Sequence, residues 1–208
     1  MYKFIWILDE GKFLTLAEVV LLREVVRNRK EGALKVGKKT AVRDWFVINL
    51  GLFTGLRVQE MSDLKIEDVM ISKESSSLIV RNGKGGKARL VKFSREFKSV
   101  TIEYLQWKES VGESCEGGAP LIYSTNSKGS MTTRGIQKIF ERNAKRAGVA
   151  DHSIHHLRHT YGSHLYKESG HNLRMVQEQL GHSTITITEV YAHVLQPDLV
   201  RALNNLYG

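Results

Sequence analysis

Glycines close several helix-length runs in this chain, and that punctuation restricts the fold more than any other feature. The stretch from about Thr40 to Thr54 ends on Gly55, Thr133 to Ala147 on Gly148, and Asn172 to Leu180 on Gly181. Each glycine stands where the left-handed conformation that stops a helix is needed. Thr15 and Glu18 form a capping-box pattern that opens another helix, with apolar positions at Leu16, Val19, Leu22 and Val26. Arg95 to Ser110 and His155 to Lys167 also read as helices, as do 184–194 and 197–206 in the tail. Arg57 lies just past Gly55, where a new short helix can begin. The β-prone runs are Leu78 to Arg81 and Ala88 to Phe93, on either side of Asn82-Gly83-Lys84-Gly85-Gly86. They predict a hairpin with a glycine-rich tip that carries Lys84. The expected fold is therefore mainly α with a small antiparallel β-sheet. There is no internal repeat, and the only linker-like stretch is Gly112 to Ala119, so one domain is expected.

Composition narrows the function class. The chain has 208 residues, enough to bury a substantial core. Lys plus Arg outnumber Asp plus Glu by 31 to 22, for a net charge of +9. That balance suits a polyanionic partner but does not require one. The single cysteine, Cys115, has no partner for an intrachain disulfide, which points to a reducing compartment. The apolar run Phe4 to Leu8 is too short for a bilayer span or an ordinary signal segment. A soluble, intracellular protein without a membrane partner is expected.

Chemistry-bearing residues concentrate toward the C-terminus. HHLRHTYGSHL begins at His155, LGHS places a histidine at 182, and EVYAHV places a tyrosine at 191. These are the residue types needed for attack by a phenol on a phosphodiester. Charge that grows on the phosphate oxygens needs fixed cations, and paired guanidinium hydrogen bonds supply them. Arg57, in TGLR, and Arg158, in HHLRH, are the candidates. A tyrosine with a pKa of about 10 needs an adjacent base or strong positive charge to attack near neutral pH. His155 is three residues before Arg158, so on a helix the two share a face. The departing 5′ oxygen is a poor alkoxide and needs a proton donor, for which Lys84 and the neighbouring Lys87 compete. A rival reading takes His155 and His159, four apart on a helix, as zinc ligands with His182 as a third. No HExxH pattern accompanies them, and nearby arginines would repel a cation. The glycine-rich turn lacks the spacing of a P-loop.

Two arginines, a lysine, two histidines and a tyrosine in this order closely resemble the catalytic domain of the tyrosine recombinase (phage integrase) family. The resemblance runs from about Phe13 to about Val194. It implies the fold of DNA breaking-rejoining enzymes and a site-specific recombinase that works through a 3′-phosphotyrosine intermediate. The covalent bond conserves the phosphodiester energy, so no nucleotide cofactor and no metal is expected. Tyr191 corresponds to the family's nucleophile, Lys84 to its hairpin lysine, and His182 to a hydrogen-bond donor to the scissile phosphate. Glu60 matches the acidic position of the TGLRxxE box, in a supporting role, and His159 also fits the family pattern in a supporting role. His156 departs from it, standing where an Asp is frequent.

The same resemblance divides the chain into an N-terminal extension, 1–12, and a catalytic domain, 13–208. The family's N-terminal core-binding domain is expected to be absent, so the chain is either a naturally short, stand-alone recombinase, similar in size to the fimbrial inversion recombinases, or a remnant or excised catalytic domain. Double-stranded DNA is the implied partner. Arg134, Lys138, Arg142 and Lys145 fall on one helical face, with Lys87 and Arg89 adding charge on the hairpin, and such a stripe can follow a phosphate backbone. Leu199, Leu203 and Leu206 recur on one face of the tail, the segment by which family members often link subunits. A free monomer that assembles into a tetramer on DNA is expected, in the cytoplasm and associated with the nucleoid. Two other functions use overlapping features. A type IB topoisomerase shares the chemistry but works alone, and a catalytically idle DNA-binding regulator needs neither the hairpin lysine nor the late tyrosine.

Overall fold

The computed structural model describes residues 13–81, 83 and 88–181. In chain order the elements are α1 (Leu16–Lys35), α2 (Thr40–Thr54), α3 (Val58–Asp63), a 3-10 turn (Ile66–Asp68), β1 (Val69–Met70), β2 (Ser76–Val80), β3 (Arg89–Phe93), α4 (Arg95–Ser110), β4 (Tyr123–Ser124), β5 (Gly129–Ser130), α5 (Thr133–Ala147), α6 (Ile154–Glu168) and α7 (Leu173–Leu180). The fold is mainly helical with small antiparallel sheets, as the sequence predicts. Among the described residues no helix is long and apolar enough to cross a membrane.

Helix α2 is the centre of the molecule. Its residues from Ala41 to Leu52 are buried all round, as expected of a helix with apolar side chains on every face. It packs against α1, α4, α5 and α6. Phe46 stacks on Tyr104 of α4 at 3.8 Å between ring centroids, and Leu157 of α6 lies against Gly51 so closely that a Cβ there would be 2.7 Å from its Cδ1. Two charged residues of α2 are buried as well, and both are paired. Asp44 accepts hydrogen bonds from Arg29 of α1 at 3.0 Å and from Arg142 and Asn143 of α5 at 2.8 and 3.2 Å. Arg43 pairs with Glu113, which also accepts from Lys108 at 3.2 Å. A buried charge is tolerable only with such partners, and these two networks fix α1, α5 and the loop after α4 around the central helix.

Caps account for the helix ends. Thr15 Oγ1 accepts from the backbone N–H of Glu18 at 3.2 Å, and the Glu18 carboxylate accepts from the backbone N–H of Thr15 at 2.7 Å. Gly55, Gly148 and Gly181 all have left-handed backbone, with φ of +60°, +74° and +64°. Helix α6 starts one residue earlier than expected because Ile154 is drawn into the core, and the Ser153 backbone N–H donates to His156 Nδ1 at 2.6 Å.

The hairpin forms as β2 and β3, paired antiparallel with Leu78 opposite Val91 and Val80 opposite Arg89. Strand β1 extends this sheet by pairing with β2, and β4 and β5 form a second two-stranded sheet. Neither of these was expected, because two-residue strands carry no periodicity to read. The tail helices predicted at 184–194 and 197–206 lie outside the described residues, as do Lys84, Lys87, His182 and Tyr191.

Candidate active site

The turn after α2 and the two ends of α7 and β3 meet around one buried carboxylate, that of Glu60. Its position follows from local structure. Gly55 ends α2 in the left-handed region, and a Cβ there would sit 2.4 Å from Tyr161 Cδ1 and 2.8 Å from Leu180 Cδ2. Only glycine lets the TGLR turn press against α6 and α7 in this way. Arg57 then caps α3, and Glu60, in its first turn, folds back so that its Oε2 accepts from the Arg57 backbone N–H at 2.8 Å. The Arg57 guanidinium donates through Nη1 to Glu60 Oε1, also at 2.8 Å.

Two further arginines arrive from distant parts of the chain. Arg89, at the start of β3, donates from Nη1 to Glu60 Oε1 at 2.8 Å and from Nη2 to Oε2 at 2.9 Å. Arg158, on α6, brings Nη1 to 3.9 Å from Glu60 Oε2. The same Nη1 donates to the carbonyl of Gly55 at 2.7 Å, and Nη2 donates to the carbonyl of Leu180 at 2.7 Å. Arg158 thereby ties the TGLR turn to the end of α7, immediately before Gly181 and His182. The side chain of Glu60 is 4% exposed, that of Arg158 10% and that of Arg57 30%. Burial alone would raise the Glu60 pKa, but the hydrogen bonds from Arg89 and Arg57 outweigh it and hold the carboxyl at about 2. Three guanidinium groups therefore surround one permanent carboxylate, leaving the cluster at 3 − 1 = +2 with Arg57 reaching solvent.

The other predicted residues fall as follows. His155 is exposed on the first turn of α6, three residues ahead of Arg158, and His159 is partly buried one turn further on. Among the described residues no three His, Cys, Asp or Glu side chains are grouped so as to hold a metal ion, and the zinc reading's third member, His182, lies outside them. Four tyrosines are described. Tyr104 is fully buried and donates to the Leu121 carbonyl at 3.2 Å, and burial pushes its phenol well above the ordinary range. Tyr161 packs beside Gly55, where burial pushes its pKa up to about 12. Tyr166 meets His171 edge to face, and Tyr123 lies under the Lys108 ammonium.

Two of the cations expected to contact DNA are engaged with carboxylates of the chain itself. Arg89 does not add to the outer charge of the hairpin, because its guanidinium turns inward onto Glu60. Arg142 is only partly available on the basic stripe, since Nη2 reaches both oxygens of the buried Asp44 at 2.8 Å. Arg134, Lys138 and Lys145 are exposed on α5, with Arg134 also 3.2 Å from Glu141. Sequence reasoning missed Arg89 as a partner of Glu60. The only signal was a cation at the hairpin base, and nothing in the spacing points from position 89 to position 60.

Residues 12–197 match the family model described as the phage integrase family. The chain is 35% identical over 163 residues to tyrosine recombinase XerC of Oceanobacillus iheyensis, covering 77% of this chain and 52% of that protein. It is 32% identical over 165 residues to tyrosine recombinase XerA of Pyrococcus horikoshii, covering 78% and 54%. The chain thus spans about half the length of the curated relatives it matches. Among solved structures, the pre-cleavage complex of XerH site-specific recombinase with its difH substrate superposes with a TM-score of 0.72 at 24% identity, over 95% of this chain and 55% of that one. The crystal structure of XerA recombinase gives 0.71 at 23% identity, over 94% and 63%. The fold is that of tyrosine recombinase catalytic domains, and the chain belongs to the phage integrase family.

Proposed function

We propose that this protein is a site-specific DNA recombinase that cleaves and rejoins DNA through a 3′-phosphotyrosine intermediate. The observation that carries the reading is the convergence of Arg57 and Arg158, 101 positions apart in the chain, on one carboxylate in a cluster of net positive charge. In this reading the Tyr191 oxygen attacks the scissile phosphorus while His155 accepts the phenolic proton. The bond from phosphorus to the 5′ oxygen breaks, and Lys84 gives that oxygen its proton. Arg57 and Arg158 stabilise charge on the non-bridging oxygens and His182 donates a further hydrogen bond. Attack by the freed 5′ hydroxyl on the phosphotyrosine reverses each step and needs no nucleotide or metal.

Double-stranded DNA is the substrate, approached over the hairpin and the exposed cations of α5, and the chain is monomeric when free and tetrameric on DNA. It acts in the cytoplasm on nucleoid DNA. DNA as the substrate is supported by the structural neighbours XerH and the Tn1549 transposon integrase, both solved with DNA. Two of the described tyrosines compete poorly for the nucleophile role, since burial pushes the phenols of Tyr104 and Tyr161 up and makes them resist ionisation.

The test is covalent trapping on nicked suicide duplexes selected from a randomised library by the wild-type chain. Tyr191→Phe should form no adduct while retaining DNA binding within about twofold, since only one hydroxyl is lost. An adduct that persists in Tyr191→Phe removes Tyr191 from the nucleophile role. A wild-type chain that relaxes supercoiled DNA as a monomer without exchanging strands points instead to topoisomerase chemistry.

A further inference from the structure

Arg89 occupies an unusual place. It is the first residue of β3, opposite Val80, at the base of the hairpin and five positions after Lys84 in the sequence. Its side chain is only 12% exposed. Both terminal nitrogens bind the two Glu60 oxygens, and Nε donates to the carbonyl of Gln179 at 3.2 Å. This is a fork-on-fork pairing plus a third bond, a set that lysine cannot reproduce. The guanidinium also lies against the end of α7, since a Cβ on Gly181 would be 2.7 Å from Arg89 Cδ and 2.8 Å from Nε. Gln179 and Leu180, whose carbonyls end α7, are thus each held by an arginine, one from β3 and one from α6.

The electrostatic consequence concerns Arg57. Without Arg89, the Glu60 carboxylate would keep only Arg57, at 2.8 Å, and the more distant Arg158, at 3.9 Å, and it would offset mainly the guanidinium that has to face a phosphate. Arg89 engages both oxygens and supplies the compensating positive charge. Glu60 can then orient Arg57, through its backbone N–H and Nη1, without cancelling the charge of the site. We propose that Arg89 is a positioning residue for the cleavage reaction: acting through Glu60, it keeps Arg57 oriented and uncompensated for charge stabilisation on the phosphate. Arg89 does not itself touch DNA. This rests on the recombinase reading above.

The test compares single-turnover cleavage by the full chain on three versions of a duplex that the wild type has selected: ordinary phosphate, methylphosphonate at the scissile position, and a 5′-bridging phosphorothiolate. A methylphosphonate lacks a charged non-bridging oxygen, so the need for guanidinium stabilisation is reduced. Arg89→Ala should slow cleavage of the ordinary duplex by about 10- to 100-fold, as is typical when a partner that orients a reacting group is lost. DNA affinity and its salt dependence should be unchanged. The defect should shrink on the methylphosphonate in parallel with that of Arg57→Ala, and persist on the phosphorothiolate. Arg89→Lys, which keeps the charge without the fork, should fall between Arg89→Ala and wild type, and it carries the same comparisons if Arg89→Ala does not fold.

Three results overturn the role. Rescue of Arg89→Ala by the phosphorothiolate would place its effect on the hairpin lysine. Weaker binding with a shallower salt slope at an unchanged saturating rate would make it a phosphate contact. Equal defects on all three duplexes would make it a purely structural pair. If the wild-type chain captures no duplex at all, the recombinase reading itself fails, and the role of Arg89 fails with it.

Discussion

Replacing Glu60 with glutamine removes the carboxylate that pairs with Arg57 and Arg89 and lies 3.9 Å from Arg158, and the structure sets the scale of the loss. The carboxyl falls from its ordinary 4.5 to about 2 because the Arg89 and Arg57 hydrogen bonds overcome the cost of burial. At about 1.4 kcal/mol per tenfold change in proton affinity, that depression corresponds to about 3 kcal/mol of folding stability at neutral pH. The figure agrees with the ~3–5 kcal/mol expected when one partner of a buried ion pair is removed. A depressed carboxyl stabilises above its unfolded value, so the full contribution is present above pH 4.5 and is lost as pH falls through about 2. Urea unfolding followed by far-ultraviolet circular dichroism should therefore show Glu60→Gln less stable than wild type by about 3 kcal/mol near pH 7, with the gap narrowing to under half near pH 3. Other carboxylates titrate in both proteins and cancel in the difference. A gap below about 1 kcal/mol at neutral pH, or one of constant size across the acid range, would refute the account of Glu60 as the charged hub of the site.

Three further outcomes follow from the geometry and the proposed chemistry. Lys84→Ala should be severely slowed on ordinary DNA and recover on a 5′-bridging phosphorothiolate, because a thiolate leaves without a proton; equal defects on both would move suspicion to Lys87. Gly55→Ala should cost about 2–5 kcal/mol in urea unfolding, combining left-handed backbone strain with the clash against Tyr161, and a cost below about 1 kcal/mol would contradict the tight turn. Cleavage should persist in excess chelator with no stoichiometric metal in the purified protein, whereas loss of activity that zinc restores would favour the hydrolase reading of the histidines.

Much of the secondary structure was legible because it is local. A glycine after a helical run, a Thr/Glu capping pair and a β-prone run on each side of a glycine-rich turn act over a few residues, so their signals survive without knowledge of the fold. For that reason the sequence places the ends of α2, α4 and α5 where the structure has them, and Arg57 just beyond a helix stop. The family's order of reactive residues was equally legible, since spacing and residue type are properties of the chain itself. Strand β1, the β4–β5 pair and the 3-10 turn were not, because elements of two or three residues owe their form to neighbours far away in sequence.

Tertiary structure decided which charges face inward. In sequence Arg89 and Arg142 read like the other cations of the hairpin and of α5, for a charged residue is exposed by default. What turns them inward is a carboxylate brought by another element, Glu60 for Arg89 and Asp44 for Arg142, across separations of 29 and 98 residues. Burying such a carboxylate is costly unless cations meet it, and only the packed chain establishes which cations can reach. The sequence by itself determined the helical scaffold and the set of reactive residue types. The pairing of Glu60 with Arg57, three residues away, is local, whereas the fold alone determined that Glu60 also collects Arg89 and Arg158, since Coulombic pairing depends on distance in space and not on distance along the chain.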